Sequence, residues 1–173
     1  MIKLAVNNDY KIKALTLNKQ KKIEMLNLKC SDYYLLHDGV LPSKKEVLEI
    51  FSALPSGKKY KDKFVLGIYK YGNELIGIIE IIKNSPVDGE WMIGLVLIAP
   101  EERNNGLGKL IHEALAHWAI TLGAKSFRLG VIEDNYKGKK FWSDIGYKKI
   151  NEETMDFSKK THKVNVMTFQ ISA

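Results

Sequence analysis

The stretch that most constrains this chain runs from Ile93 to Gly123. It opens on an unbroken apolar run, Ile93-Gly94-Leu95-Val96-Leu97-Ile98, which has the length and composition of a buried strand and is closed off by Pro100. It continues through Arg103-Asn104-Asn105-Gly106-Leu107-Gly108-Lys109 into a segment where Leu107, Leu110, Ile111, Ala114, Leu115, Trp118 and Leu122 recur at helical spacing until Gly123. A strand, a glycine loop and a helix in immediate succession form an anion-binding unit. The first amides of a helix lack intrahelical partners, and the helix dipole is positive at that end. Glycine at 106 and 108 lets a diphosphate approach the backbone where a Cβ would intrude. The same glycines also suit a tight turn or close helix packing.

Two familiar phosphate loops are excluded. A Rossmann fingerprint needs a third glycine and an acidic residue about twenty positions on, where this chain has the turn Gly123-Ala124-Lys125. A Walker-type loop needs a closing Gly-Lys-Ser/Thr, which is absent.

Elsewhere the hydrophobic period switches several times, as in a mixed α/β (α+β) domain. Leu15 to Leu17 reads as part of a first strand, and Ile23, Leu26, Tyr33 and Leu36 as a helix ended by Gly39. Ser43 followed by Glu46 is a capping box, opening a helix through Val47, Leu48, Phe51 and Leu54 up to Pro55. Phe64–Tyr69, Leu75–Ile82 and Trp91–Ile98 form a meander broken by Tyr71-Gly72-Asn73 and by Asn84 to Gly89. Then come a strand at Phe127–Ile132, a helix at Tyr136–Asp144, and strands near Lys148–Ile150 and Val164–Ile171. The expectation is a mixed, mostly antiparallel sheet of about six to seven strands flanked by about four helices, in one domain spanning residues 1–173.

Composition narrows the function. The net charge of +7 comes from lysines interleaved with acidic residues rather than clustered, which argues against a nucleic-acid partner. The lone Cys30 and the absence of metal-spaced Cys/His sets point to a reducing compartment and to no metal. His112 and His117 lie five apart on one helix, a poor spacing for a metal pair. Asn7, Asn8 and Asp9 interrupt the place where a signal peptide would be apolar, and no apolar run is long enough for a bilayer, so the expectation is a cytoplasmic protein with no membrane partner. A homodimer is only the general prior for soluble proteins.

Arg103-x-x-Gly106-x-Gly108 directly after an apolar strand, then Asn135, Phe141-Trp142 and Gly146-Tyr147, resembles the GNAT acetyltransferase family; the likeness is strongest from Trp91 to Tyr147. The resemblance implies acetyl-CoA as co-substrate and an amine, small molecule or peptide, as acceptor. It implies that the backbone of Val96 and Ile98 pairs with the pantetheine arm, that Asn104, Asn105, Gly106, Leu107, Gly108 and Lys109 hold the diphosphate with Arg103 opening the same cofactor-binding loop, that Asn135 hydrogen-bonds the pantetheine, and that the helix carrying Trp142 flanks the cofactor. Asn135 equally suits a helix N-cap.

The implied chemistry is attack of a neutral amine on a thioester, which calls for an oxyanion donor near Val96 or Leu97, a base and an acid. Many family members place a tyrosine at the second position of the aromatic pair as acid; here it is Trp142, whose indole cannot transfer a proton. Tyr136 is the candidate acid, with an exposed helix-start aromatic as the alternative. Glu80, which interrupts an apolar strand, and Glu90, just before the next, are the candidate bases. Tyr33 and Tyr34, beside Asp32, are candidates for receiving a cationic acceptor, or are core aromatics. The absent tyrosine also leaves open a CoA-binding regulatory module with weak catalysis.

Overall fold

The computed structural model describes residues 1–172. Its strands are β1 (Lys3–Ala5), β2 (Tyr10–Ala14), β3 (Lys63–Lys70), β4 (Glu74–Ile82), β5 (Glu90–Ile98), β6 (Ser126–Ile132), β7 (Lys148–Phe157) and β8 (Lys160–Gln170). Its helices are α1 (Gln20–Lys29), α2 (Ser31–His37), α3 (Lys44–Ser52), α4 (Leu107–Thr121) and α5 (Tyr136–Ile145). One sheet takes all eight strands in the order β1-β2-β3-β4-β5-β6-β8-β7. Only the β5–β6 pairing is parallel.

The differences from the sequence expectation have local causes. Residues Leu15 to Leu17 are not a strand: Leu15 closes the core just past β2, and Leu17–Lys19 is a 3-10 turn. The first strands lie earlier, at β1 and β2. Asn7 folds its Oδ1 back to accept from the Asp9 and Tyr10 amides, both at 2.9 Å, and so makes the turn between them. The single helix expected up to Gly39 is two, broken at Cys30. β7 and β8 extend to a hairpin turn at Ser158-Lys159, with Ser158 at φ +50°. The capping box at Ser43 and Glu46 forms as read: Glu46 Oε2 accepts from the Ser43 amide at 2.6 Å, and Ser43 Oγ from the Lys45 amide at 3.2 Å.

Two features of the fold position the site. Trp118 of α4 meets Phe64 and Trp91 edge-on at 5.1 and 5.6 Å, locking α4 to the sheet face that carries β3 and β5. β5 touches β6 only through Glu90–Met92, and beyond them the two strands diverge. The divergence begins at a bulge: Leu95 pairs with Glu80 and Ile93 with Ile81, leaving Gly94 as the extra residue. A bulge bends its strand and sharpens the twist, so the carboxyl half of β5 swings away from β6. A gap opens there, directly before the glycine loop.

Candidate active site

The backbone of β5 is exposed to this gap in an ordered way. Ala99 donates its amide to Ile76 O at 2.8 Å, so in the alternation of an antiparallel ladder Leu95 and Leu97 face β4. Val96 and Ile98 therefore turn their N–H and C=O groups into the gap. The chain then reaches the start of α4 through Asn104 and Gly106, both left-handed at φ +61° and +83°. Gly106 is the N-cap and offers no side chain. The Leu107 amide donates to Asn105 Oδ1 at 3.1 Å, and Leu110 makes the first internal helix bond, to Gly106 O at 3.3 Å. Among the described residues, the Gly108 and Lys109 amides have no acceptor. Two free amides at the positive end of a fifteen-residue helix form a cradle for an anion.

The two glycines divide the work differently from the sequence expectation. A Cβ at Gly106 would meet nothing within 4 Å, so its requirement is the left-handed backbone and an open face above it. A Cβ at Gly108 would lie 2.8 Å from Phe141 Cζ and 2.9 Å from Cε2. Gly108 admits the Phe141 ring and so brings α4 against α5; room for a diphosphate is not what it supplies. Gly108→Ala should therefore destabilise the protein by about 1–3 kcal/mol, as overpacking does. In the Phe141→Ala background the same change should cost much less, a coupling that urea melts of the four proteins would read out.

The three residues ahead of the loop are each tied to a different element. Glu101 pairs with Lys29 of α1 at 2.5 Å. Glu102, buried, accepts from Lys70 at 2.5 Å and from the Tyr10 hydroxyl at 2.6 Å, and these two donors hold its carboxyl below the usual carboxylate range. Arg103 forks onto both oxygens of Asp32 at 2.6 and 3.3 Å and donates Nε–H to Ile98 O at 2.7 Å. The Cys30 thiol lies 3.6 Å from the same carbonyl. The Arg103 side chain is thus engaged within the protein, and of the Ile98 groups only the N–H is free for a pantetheine arm.

Across the gap, Asn135 is the N-cap of α5, accepting from the Gly138 amide at 2.9 Å. Among the described residues its Nδ2 has no acceptor, so the cap and a ligand contact are compatible. Tyr136 points outward, 70% exposed, with Lys139 Nζ 4.8 Å from its ring centre. It is not brought to the gap. Trp142 packs against Phe141 and Tyr147 at 4.8 and 5.1 Å, a wall residue. Sequence reasoning gave His112 no role, yet it is buried beneath this wall. Its Nε2 lies 3.0 Å from the Tyr147 hydroxyl, and burial pushes its pKa down to about 4.

Glu80, a candidate base, lies on β4, in the middle of the sheet. Its carboxylate pairs with Lys63 Nζ at 3.0 Å, and Lys63, whose side chain is 3% exposed, also donates to Ala53 O at 2.6 Å. Burial raises the Glu80 pKa, an effect that Lys63 partly offsets. A Cβ at Gly94 would come within 3.0 Å of Glu80 Oε1, so the bulge glycine makes room for this carboxylate. Glu90 instead faces Arg128 at 3.4 Å at the paired end of β5 and β6, about 20 Å along the strand from Val96. The structure does not bring it to the gap.

Tyr34 is core, 5% exposed, whereas Tyr33 stacks on His37 at 5.0 Å. The tip of the β7–β8 hairpin caps α2: Lys160 Nζ donates to Leu36 O at 3.2 Å, His162 Nε2 to His37 O at 2.9 Å, and the Lys159 amide to Asp38 O at 3.2 Å. Phe157 lies against His37 at 4.1 Å. Sequence reasoning missed Phe157 and His162, because nothing local ties residues so far along the chain to α2.

A splayed sheet whose gap leads to a helix-start cradle is an arrangement able to hold a long diphosphate-bearing ligand. The sequence matches the Acetyltransferase (GNAT) family over residues 25–147. Among solved structures, the acetyltransferase from Salmonella typhimurium that modifies the N-terminal serine of 50S ribosomal subunit protein L7/L12 superposes with a TM-score of 0.78 at 14% identity, covering 99% of this chain and 100% of that one. Spermidine N-acetyltransferase from Vibrio cholerae, in complex with CoA and spermine, gives 0.73 at 18%, covering 95% and 97%. An acetyltransferase from Thermus thermophilus gives 0.74 at 16%, covering 93% and 96%. No curated protein matches the sequence significantly. The chain belongs to the GNAT acetyltransferase family. No helix among the described residues is long and apolar enough to cross a membrane, and no group of three or more His, Cys, Asp or Glu side chains is arranged to hold a metal.

Proposed function

We propose that this protein transfers the acetyl group of acetyl-CoA directly to a primary amine held between α2 and the β7–β8 hairpin. The observation that carries this reading is the pairing of two free amides, Gly108 and Lys109, with the unpartnered Val96 edge of β5. The amides suit the diphosphate, and the Val96 C=O and Ile98 N–H suit the amide-containing pantetheine arm as an added strand would. Acetyl-CoA supplies the activated acyl group as its thioester.

The chain's own residues then perform three tasks. Glu80 accepts the proton of the incoming ammonium, its pKa lifted by burial toward the range where a base is effective at neutral pH. The Val96 N–H, which faces the gap while that of Leu97 faces β4, stabilises the developing oxyanion. The Tyr33 and His37 pair and Phe157 line the approach and exclude water. A thiol titrating near about 8.5 leaves readily, so solvent protonates it and neither Trp142 nor the outward-facing Tyr136 is required. That two structural relatives act on or bind amines, one a serine N-terminus and one a polyamine, supports an amine acceptor without choosing between them. The single, buried Cys30 supports a reducing, cytoplasmic setting.

A thermal-melt titration tests the reading. Acetyl-CoA at about 100 times its dissociation constant should add about 2.7 kcal/mol of stability. Of spermidine and an unblocked serine-initiated peptide, offered in turn, at least one should release CoA faster than the hydrolysis blank. A folded protein whose melt ignores acetyl-CoA would refute the proposal.

A further inference from the structure

We infer that Arg103 is a positioning residue that couples the acceptor-side helix α2 to the cofactor edge of β5, and that its side chain is not a ligand of the diphosphate. The inference rests on the proposed acetyl-CoA site and assigns this arginine a task within it. All three guanidinium nitrogens have partners inside the protein: Nη1 and Nη2 donate to the two Asp32 oxygens, and Nε to Ile98 O. Asp32 sits in the first turn of α2, one residue before Tyr33 in the acceptor wall. Its carboxyl is held below its ordinary range, chiefly by the Arg103 hydrogen bond.

Ile98 sits at the other end of the fork, two residues from Val96 on the strand edge that faces the gap. A guanidinium is rigid and planar, so the direction of Nε is fixed once the other two nitrogens are engaged. Displacement of α2 therefore reaches Ile98 through one stiff group. Glu101 and Glu102, staked to α1, β2 and β3, keep the rest of the loop approach in place. Arg103 is the one tie of the three that joins the two substrate sides.

The test is a double-mutant cycle of Arg103→Gln, Asp32→Asn and the pair, read by calorimetric titration with acetyl-CoA at two salt concentrations and by apo melting. Each single change should weaken acetyl-CoA about tenfold, and the double should be no weaker than either single, the signature of one shared interaction. Salt dependence should match the wild type, and Arg103→Lys, which keeps the charge but loses the fork, should not restore affinity. Apo melting should stay close to that of the wild type, which separates positioning from folding. If Arg103→Gln weakens binding and flattens its salt dependence while Asp32→Asn leaves it unchanged or tighter, the arginine is a direct phosphate ligand and the inference fails. It fails too if neither single change moves the affinity. Should Arg103→Gln not fold, Asp32→Asn alone decides, since that end of the pair is largely exposed. A wild type that does not bind acetyl-CoA sinks the proposed function instead, a result visible before any variant is made.

Discussion

Glu80→Gln should lower kcat by about a hundredfold or more, the scale of a lost general base, while acetyl-CoA affinity stays at the wild-type value. The change keeps the shape of the side chain but removes its charge along with its capacity to take a proton, so the buried Lys63 ammonium loses its ion-pair partner and some stability goes with it. The measurement is steady-state transfer to spermidine or to an unblocked peptide, paired with a calorimetric titration of the cofactor. The pH profile carries the finer signature. Catalysis needs the ionised carboxylate, and burial raises its pKa, so kcat/KM should climb with pH through a value above that of an ordinary glutamate. Lys63 opposes that rise. Lys63→Met should therefore move the climb further alkaline, and should also destabilise the fold by about 3–5 kcal/mol, because it leaves a buried carboxylate unpaired. Wild-type turnover in Glu80→Gln would remove this residue from the chemistry and leave the cofactor site untouched.

The strand, loop and helix of the candidate cofactor side were legible because their signals are local. An apolar run, the left-handed Gly106 and a helical stripe are contiguous from Ile93 to Gly123, and each reports backbone geometry that tertiary structure does not override. The acceptor side was not. β7 is exposed along almost its whole length, so it has no buried face to impress an alternation on Lys148 to Phe157, and its strand state follows from pairing with β8 alone. β2 hid in a similar way: in Tyr10-Lys11-Ile12-Lys13-Ala14 only Ile12 is fully buried, and the flanking lysines read as surface. Gly108 shows a different limit. Its motif position was visible, but its reason, the Phe141 ring more than thirty residues on, is a contact between helices that no local spacing encodes. Glu80 lay between these extremes. A carboxylate inside an apolar strand is anomalous in any sequence, while the Lys63 and Gly94 that make it tolerable are visible only once β3, β4 and β5 are aligned.

Acid should destabilise this protein well above the pH at which its carboxylates titrate, and His112 is the reason. The ring is enclosed edge-on by Phe127, Tyr147 and Phe169 at 5.7, 5.5 and 5.0 Å, and its polar neighbour there is the Tyr147 hydroxyl, itself buried. A cation in that setting is poorly solvated, so the folded protein protonates His112 only near pH 4, whereas the unfolded chain does so near 6.5. Between those values the unfolded state binds the extra proton, so stability rises with pH across the window. The full contribution is present above about pH 6.5 and is lost as pH falls toward 4. At about 1.4 kcal/mol per pH unit the whole window amounts to about 3 kcal/mol, and the fall from pH 7 to pH 5 to about 2 kcal/mol. Asp32 and Glu102, whose carboxyls are held low, lose their stabilisation at more acid pH. Glu80, with its raised pKa, pulls the other way, and His37, whose pKa burial lowers, pulls the same way as His112, in wild type and variant alike. The contrast with His112→Gln therefore isolates the imidazole. Glutamine keeps a group able to bond the Tyr147 hydroxyl and cannot become charged, so its urea midpoint should be lower than the wild type's at pH 7 and should fall less than the wild type's between pH 7 and pH 5. Parallel slopes for the two proteins would mean that His112 takes up its proton without cost, and that the aromatic enclosure is open to water.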